Sequence, residues 1–222
     1  MHKVENQPIR KLCDWLKPKN FHLFFFISFV SHKLNMPINL QKGGGPRKLE
    51  NQQGQGLQRI YIGLGWDCSA AGVDLDASVA CLGANDKLLA DEWFIFYNNL
   101  TSPDRQAVVH SGDNKTGQGE GDDESVRIDL TLVPPQVSKM LLVISIHDAQ
   151  GKNFTHVQNA FFRIVDANTN QETHRLDLSS GQGGQTECLI FAEIIRQGPG
   201  WNISPVCYAI PSLGALLGNL QG

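Results

Sequence analysis

The chain has 222 residues, of which 41% are hydrophobic and 18% are charged, so it can bury the core of one large domain or two small ones. Its formal net charge of −3 is uneven, because residues 1–35 carry six Lys and Arg against two Asp and Glu, whereas residues 36–222 carry thirteen against twenty. This acidic body argues against nucleic acid and anionic membranes as partners.

The first 35 residues differ in composition from the rest of the chain. They contain the apolar run FHLFFFISFV at 21–30, which is shorter than the about 20 residues that a membrane-spanning helix needs. A signal peptide is the alternative, but the polar residues after the run do not resemble a cleavage site. We predict that residues 1–35 are a non-native or disordered extension and that Met36 is the true start. We also predict that the protein does not insert directly into a membrane.

Short apolar segments, several of them alternating with polar residues, predict about ten strands in the rest of the chain. In chain order they lie near 38–40, 57–64, 73–83, 92–100, 126–133, 137–148, 159–178 (two strands and a turn), 187–198 and 201–210. Glycine, proline and Asx signals separate them at the spacing that is typical of an antiparallel arrangement. We predict an all-β fold, a two-sheet antiparallel β-sandwich with short loops and a minor helix. It spans one domain at 36–210, followed by a tail at 211–222.

The cysteines give no sign of a disulfide framework or a zinc site. They are odd in number, widely spread and without a C-x-x-C pair: Cys13, Cys68, Cys81, Cys188 and Cys207. We predict that they are small core residues of a protein in a reducing compartment.

The stretch SGDNKTGQGEGDDES at 111–125 concentrates negative charge in a glycine-rich loop. It contains four glycines and five acids, Asp113, Glu120, Asp122, Asp123 and Glu124. Two such charges about 6 Å apart repel by roughly 3 kcal/mol at an effective dielectric constant of 20, before solvent screening. The loop is therefore either a solvated hairpin connection or a site where carboxylates share a cation.

The ligand types in this loop favour Ca²⁺ if a cation is bound. Carboxylate, amide, hydroxyl and backbone oxygens suit Ca²⁺, and Mg²⁺ is a possible alternative that retains more water. The absence of His and Cys from the loop disfavours zinc and copper. An EF-hand is excluded, because Lys115 and Gln118 stand where that loop needs an oxygen ligand and a glycine.

A second acidic cluster precedes the loop in the chain. Asp74 and Asp76 are two residues apart in a predicted strand, so both side chains leave the same face, and Asp67 lies in the connection before it. If both clusters lie at the same end of the sandwich, they form one oxygen-lined basin.

Several motifs, taken in order, resemble the TerD family of tellurium-resistance and stress proteins. They are INLQKG (38–43), GLGWD (63–67), DLDAS (74–78), FYNNLTSPD (96–104), GDNKTGQGEGDDE (112–124), IHDA (146–149), NAFFRIVDANT (159–169) and E-x-x-R (193–196). The resemblance covers about residues 38–205. It implies a β-sandwich with calcium bound by acidic loops near one end, in a cytoplasmic protein that is induced by stress.

The resemblance also implies the calcium ligands and the partners. The implied ligands are Asp74, Asp76, Asp113, Asn114, Thr116, Asp122, Asp123 and Glu124, with Asp67 as a weaker candidate. TerB-like proteins and TerC-like membrane proteins are the implied partners, and catalysis is not expected. The chain departs from the family where a third acid commonly precedes DLD, because Gly72 stands there, so one calcium site is expected to be weaker or missing.

Two other functions stay open from the residues. A small-ligand binder, such as a cyclic-nucleotide-binding protein, is suggested by relatives in the family, although an acidic basin would repel a nucleotide without a bridging metal. A carboxylate hydrolase would pair Asp74 and Asp76 with Asp122 and Glu124. Nucleophile motifs are absent from the sequence, and we predict a protein that is not an enzyme.

Overall fold

The computed structural model describes residues 36–67, 72–114, 121–178 and 183–221. Within them, short 3-10 helices lie at Asp91–Trp93 and Phe154–His156, and the helix α1 at Leu213–Leu220. The strands are β1 (Ile38–Asn39), β2 (Arg47–Lys48), β3 (Arg59–Asp67), β4 (Leu75–Leu82), β5 (Phe94–Ile95), β6 (Val108–His110), β7 (Glu124–Asp129), β8 (Lys139–Ile146), β9 (Gln158–Asp166), β10 (Gln171–Leu178), β11 (Cys188–Gln197) and β12 (Gly200–Ile210).

The strands form two six-stranded sheets, which confirms the predicted β-sandwich. Sheet A has the order β1-β10-β9-β3-β7-β6, and sheet B has the order β2-β12-β11-β8-β4-β5. The pairings are antiparallel except at one edge of sheet A, where β1 runs parallel to β10. The acidic loop follows β6 and leads into β7, at the opposite edge of sheet A from β1.

The core between the sheets comes from the alternation that the sequence shows. Ile60, Ile62 and Leu64 of β3 are buried and face inward, as alternate residues of a strand do. The rings of Phe162 in β9 and Phe191 in β11 lie 3.8 Å apart between centroids, so they join the two sheets directly. Burying an aromatic side chain of this kind is worth about 1.5–3 kcal/mol.

The outer face of sheet B also carries apolar residues, and α1 packs on part of this face. All eight residues of β4 are buried, including the polar residues Asp76 and Ser78. The helix begins after Ser212, whose side chain accepts a hydrogen bond from the Ala215 amide. Its C-terminal end receives the ammonium group of Lys87, which donates to two backbone carbonyls there.

The prediction of a strand over 92–100 was wrong for most of that segment. Its first residues belong to a 3-10 helix, and only Phe94–Ile95 forms a strand, β5. The Asn99 side chain donates to the carbonyls of Glu92 and Phe94, which folds the segment back on itself. Side-chain bonds of this type compete with strand pairing and override the propensity of the aromatic residues.

One buried histidine in β10 has no role in the acidic loop. The Nδ1 atom of His174 lies 3.0 Å from the Thr173 hydroxyl, and the residue is 0% exposed. Among the described residues, nothing forms a hydrogen bond with its Nε2 atom. Burial and, secondarily, the positive charge of Arg47 lower the pKa of His174 to about 4.

We expect His174 to make the fold sensitive to acid. The unfolded chain binds a proton at this residue near its ordinary pKa of 6.5, whereas the folded chain does so only at about 4. The contribution of His174 is therefore complete above about pH 6.5 and is lost as the pH falls to about 4. Denaturant unfolding across this window should show a flatter pH profile for His174→Gln than for the wild type. Parallel profiles for wild type and His174→Gln would contradict the assignment.

Candidate metal centre

The acidic loop joins β6 to β7, and the structure describes its two ends but not residues 115–120. The Ser111 amide donates to the Ser125 carbonyl over 2.9 Å, and the Ser125 amide donates to the Ser111 hydroxyl over 3.1 Å. Gly112 and Gly121 have φ angles of +105° and +108°, a backbone conformation that favours glycine. These two glycines let the acid-rich ends of the loop turn tightly.

Glu124, the first residue of β7, bridges the two sheets. It is 1% exposed, and its Oε2 atom accepts a 2.7 Å hydrogen bond from the Ala77 amide of β4. Its Oε1 atom accepts from the Asn114 amide over 3.3 Å. Because Ala77 belongs to sheet B, this carboxylate ties the end of the acidic loop to the strand that carries Asp76.

His110 reinforces the same junction. Its Nδ1 atom accepts a hydrogen bond from the Gly112 amide, so in the neutral ring the proton lies on Nε2, which donates to the Ala77 carbonyl over 3.0 Å. The same Nε2 atom is 3.6 Å from Oε2 of Glu124. Its ring is completely buried.

Asp76 lies beside this junction and is 2% exposed. Its Oδ2 atom is 3.3 Å from Nδ1 of His147, but no described residue forms a hydrogen bond with Oδ1. Burial and then the negative charge of Glu124 raise the pKa of Asp76 to about 7, against the opposing effect of His147. A buried oxygen without a donor is costly, and this one belongs to a group next to a second carboxylate.

Asp76, Asp113 and Glu124 form a candidate metal centre. Each offers one carboxylate oxygen, and the three oxygens lie within 4.8 Å of one another. Asp76 and Glu124 are buried and Asp113 is exposed, so the cluster opens to solvent on the side of the loop. The structure therefore brings the DLD motif and the acidic loop together at one end of the sandwich. The three donors are carboxylate oxygens and can bind a hard divalent cation.

Asp122 lies apart from this cluster. Its two carboxylate oxygens accept hydrogen bonds of 2.8 and 2.9 Å from the guanidinium group of Arg163, and Oδ2 also accepts from the Tyr61 hydroxyl over 2.6 Å. Its carboxylate is thereby neutralised by an arginine of β9, although Asp122 stands two residues before Glu124.

Asp123 and Asp67 each bind other groups of the protein. Asp123 accepts hydrogen bonds from the Trp66 amide and from the Asn114 side chain, over 3.0 and 3.4 Å. Burial and, next, neighbouring acids raise its pKa even though the bond from Trp66 opposes the change. Asp67 is exposed and accepts a 2.7 Å hydrogen bond from the Asn159 side chain.

The remaining predicted ligands are less well defined by the structure. Asp74 is half-buried just before β4, and its backbone carbonyl accepts a hydrogen bond from the His147 amide. Asn114 contributes its amide to Glu124, as described above. Thr116 lies outside the described residues.

Several residues around the centre were not found by sequence reasoning. Tyr97 packs its ring edge-on against His147, and burial followed by the charges of Asp76 and Asp113 raises its pKa. Arg163 and Tyr61 bind Asp122 from strands far away in the sequence. Tyr97 and Arg163 lie inside recognisable motifs, but nothing in their spacing indicates what their side chains contact.

Residues 36–217 match the family described as "TerD domain". The chain belongs to the TerD family. The resemblance inferred from the motifs is thereby confirmed. This TerD-family chain is 40% identical over 176 residues to the tellurium resistance protein TerD of Serratia marcescens, an alignment that covers 77% of this chain and 90% of the relative.

Other relatives of this TerD-family chain are named for stress. It is 42% identical over 178 residues to general stress protein 16U of Bacillus subtilis (strain 168), with 77% of this chain and 90% of that protein covered. The crystal structure of a Streptomyces coelicolor A3(2) homologue of the telluride resistance protein TerD shares the fold, with a TM-score of 0.59. That structure is 22% identical, and the match covers 71% of this chain and 92% of the other. In the described residues, no helix has the length and apolar character required for crossing a membrane.

Proposed function

We propose that this chain is a calcium-binding stress-response protein that acts as a binding or scaffold module. The observation that carries the proposal is the Oδ1 atom of Asp76. This atom is buried and has no hydrogen-bond donor among the described residues, and Asp76 belongs to a cluster of three carboxylates. A divalent cation would supply the missing partner for this oxygen and reduce the repulsion between Asp76 and Glu124.

The chemistry of the cluster favours Ca²⁺ over other metals. Ca²⁺ takes 6–8 oxygen ligands in flexible geometry, whereas Mg²⁺ needs a near-ideal octahedron and usually keeps several waters. Asp76, Asp113 and Glu124 are the proposed ligands. Further oxygens are available nearby or in the loop from Asp74, Asn114, Thr116 and Asp123. Asp122 is not part of the proposed set, because Arg163 already binds both of its carboxylate oxygens. Asp67 is not part of it either, because it is exposed and its carboxylate accepts a hydrogen bond from Asn159.

Calcium is expected to stabilise the folded protein. At 100 times the dissociation constant, a ligand that binds only the folded state adds about 2.7 kcal/mol. For a domain of this size that corresponds to a rise in melting temperature of about 5–10 °C. Thermal unfolding of metal-stripped protein with Ca²⁺, Mg²⁺ or chelator tests this, with the largest rise expected for Ca²⁺. Equal melting temperatures in all three conditions would remove the proposed function.

The burial of the cluster supports a role without catalysis. Asp76 and Glu124 are almost completely enclosed, and both oxygens of Glu124 accept backbone hydrogen bonds, so a glycoside or phosphoester has little access to them. A hydrolase with this acid pair would need exposed carboxylates on either side of its substrate. Calcium-loaded protein should therefore leave panels of polysaccharides and phosphoesters intact.

Partners and location follow from the family rather than from the geometry. We propose a cytoplasmic protein that engages TerB-like proteins and, at the membrane, TerC-like proteins. Calcium would hold the described ends of the loop, residues 111–114 and 121–124, in one conformation and thereby present a defined surface to such a partner. Co-purification from cells with and without chelator tests this role, and recovery of the same partners in both conditions would separate partner binding from calcium.

A further inference from the structure

The middle of β3 is shaped to receive the end of the acidic loop. Gly63 and Gly65 lie on the side of sheet A that faces away from the core, between the neighbouring strands β7 and β9. A Cβ atom at Gly63 would collide with the carboxylate of Asp122, and one at Gly65 would lie 2.5 Å from the backbone oxygen of Gly121. The two glycines therefore leave a trough in which residues 121 and 122 lie against the sheet.

Arg163 and Tyr61 hold Asp122 in this trough. The guanidinium group binds both carboxylate oxygens, a bidentate geometry that fixes orientation as well as distance. The Asp122 side chain is 4% exposed, and Arg163 also reaches Glu172 over 3.3 Å. Burial and the hydrogen bond to Asp122 raise the pKa of Tyr61 to about 12, so its hydroxyl stays protonated and donates.

The next two residues connect this anchor to the candidate metal centre. The Asp123 amide donates to the Leu64 carbonyl over 2.8 Å, and the Asp123 carboxylate accepts from the Trp66 amide. Glu124 then pairs with Leu64 in the sheet and reaches the Ala77 amide of the other sheet. The Asp122 side chain lies over the outer face of sheet A, whereas the Glu124 side chain points into the sandwich. Because only one residue separates them, holding Asp122 in place also restricts the orientation of the Glu124 side chain.

We propose that Arg163, assisted by Tyr61, is a positioning residue for the cation site, acting through Asp122 on Glu124. This inference rests on the proposed function. Removing Arg163 changes the cation affinity in opposite directions under two mechanisms. Removing a positive charge near an acidic site strengthens cation binding if the charge acts only through its long-range field. If Arg163 acts by positioning, its removal weakens cation binding instead.

The test compares calcium affinities by isothermal titration calorimetry for Arg163→Gln, Arg163→Lys and the control Arg127→Gln. Arg127 is exposed on β7 opposite Tyr61, so its replacement removes the same charge from the same face without touching Asp122. We expect Arg163→Gln to bind calcium about ten-fold more weakly and Arg163→Lys to recover part of the loss, because lysine keeps the charge but not the bidentate geometry. Arg127→Gln should bind as tightly as the wild type or more tightly. Affinity for Arg163→Gln equal to or above that of the wild type would overturn the proposal.

Hydrogen exchange in chelator provides a readout that needs no metal. The Trp66 and Ala77 amides donate to the carboxylates of Asp123 and Glu124, so both report on the position of these acids. We expect about ten-fold faster exchange at both amides in Arg163→Gln, with core amides of β8 unchanged. Unchanged exchange at Trp66 and Ala77 would overturn the inference. If the wild type binds no calcium, the proposed function fails, while faster exchange still shows that Arg163 positions Glu124.

Discussion

Asparagine in place of Asp76 is expected to abolish the calcium-dependent rise in melting temperature and to stabilise the metal-free fold. The Oδ1 atom of Asp76 has no donor among the described residues, and the neighbouring Glu124 repels its charge. A neutral amide removes that repulsion and can still bond to His147. We expect the metal-free Asp76→Asn protein to be more stable than the wild type above about pH 7, where the wild-type carboxylate is charged, because the amide brings no buried charge next to Glu124. Thermal unfolding in chelator and in Ca²⁺ gives both quantities.

Glu124→Gln is the informative partner of this substitution. Both oxygens of Glu124 accept hydrogen bonds from backbone amides, those of Ala77 and Asn114. Glutamine has only one acceptor oxygen, so its amide group would face a donor and the metal-free fold should lose stability. Two substitutions that each remove one charge from the cluster should thus shift the metal-free melting temperature in opposite directions, while both weaken calcium binding at least 100-fold.

The exposed Asp148→Asn serves as the charge-matched control for both variants. It removes the same charge one residue after His147, outside the cluster of three carboxylates, and should leave both the metal-free stability and the calcium response unchanged. A calcium response in Asp76→Asn equal to that of the wild type would show that the cation binds elsewhere or not at all. A loss of metal-free stability in Asp76→Asn would show that this carboxylate has a protein donor.

The predictable parts of the fold are those in which one strand face is buried. The alternation in β3 is visible in the sequence, because apolar residues at every second position are typical of a strand with one buried face. The turn between β9 and β10 is visible as well. The segment around β5 was not predictable in the same way, since a single side chain, Asn99, ends the strand. The burial of Asp76 was not predictable either, because it depends on Glu124 and His147, which are far away in the sequence.

For the candidate site, the sequence predicted which residue types are present but not which groups they contact. The acids and glycines of the loop favour a cation site, whereas the juxtaposition with Asp76 follows only from the packing of the two sheets. Three consecutive acids, Asp122, Asp123 and Glu124, have three different environments: an arginine clamp, a pair of neutral donors and a buried bridge between sheets. Residues far away in the sequence create these differences, so spacing within the motif does not distinguish them.

Alanine in place of Gly65 is expected to displace the loop and to destabilise the protein. Its Cβ would lie 2.5 Å from the Gly121 carbonyl oxygen and from ring atoms of Phe161. Gly121 has a φ of +108° and precedes the clamped Asp122, so it cannot retreat without breaking the ion pair with Arg163. Overpacking of this kind costs about 1–3 kcal/mol, and we expect a value near the upper end because one of the opposing atoms is backbone. Urea unfolding measures the loss.

Gly45→Ala is the matched control, because nothing lies within 4 Å of its Cβ position and its φ is not in the left-handed region. It should leave stability within about 0.5 kcal/mol of the wild type. Gly65→Ala should also weaken calcium binding at least ten-fold, although the substitution changes no charge and no ligand. If Gly65→Ala is destabilised but binds calcium with unchanged affinity, the trough contributes to the stability of the sheet and not to the cation site. Loss of both would show that docking of the loop on β3 is a condition for forming the site, since Glu124 reaches the other sheet only from the position that the trough imposes.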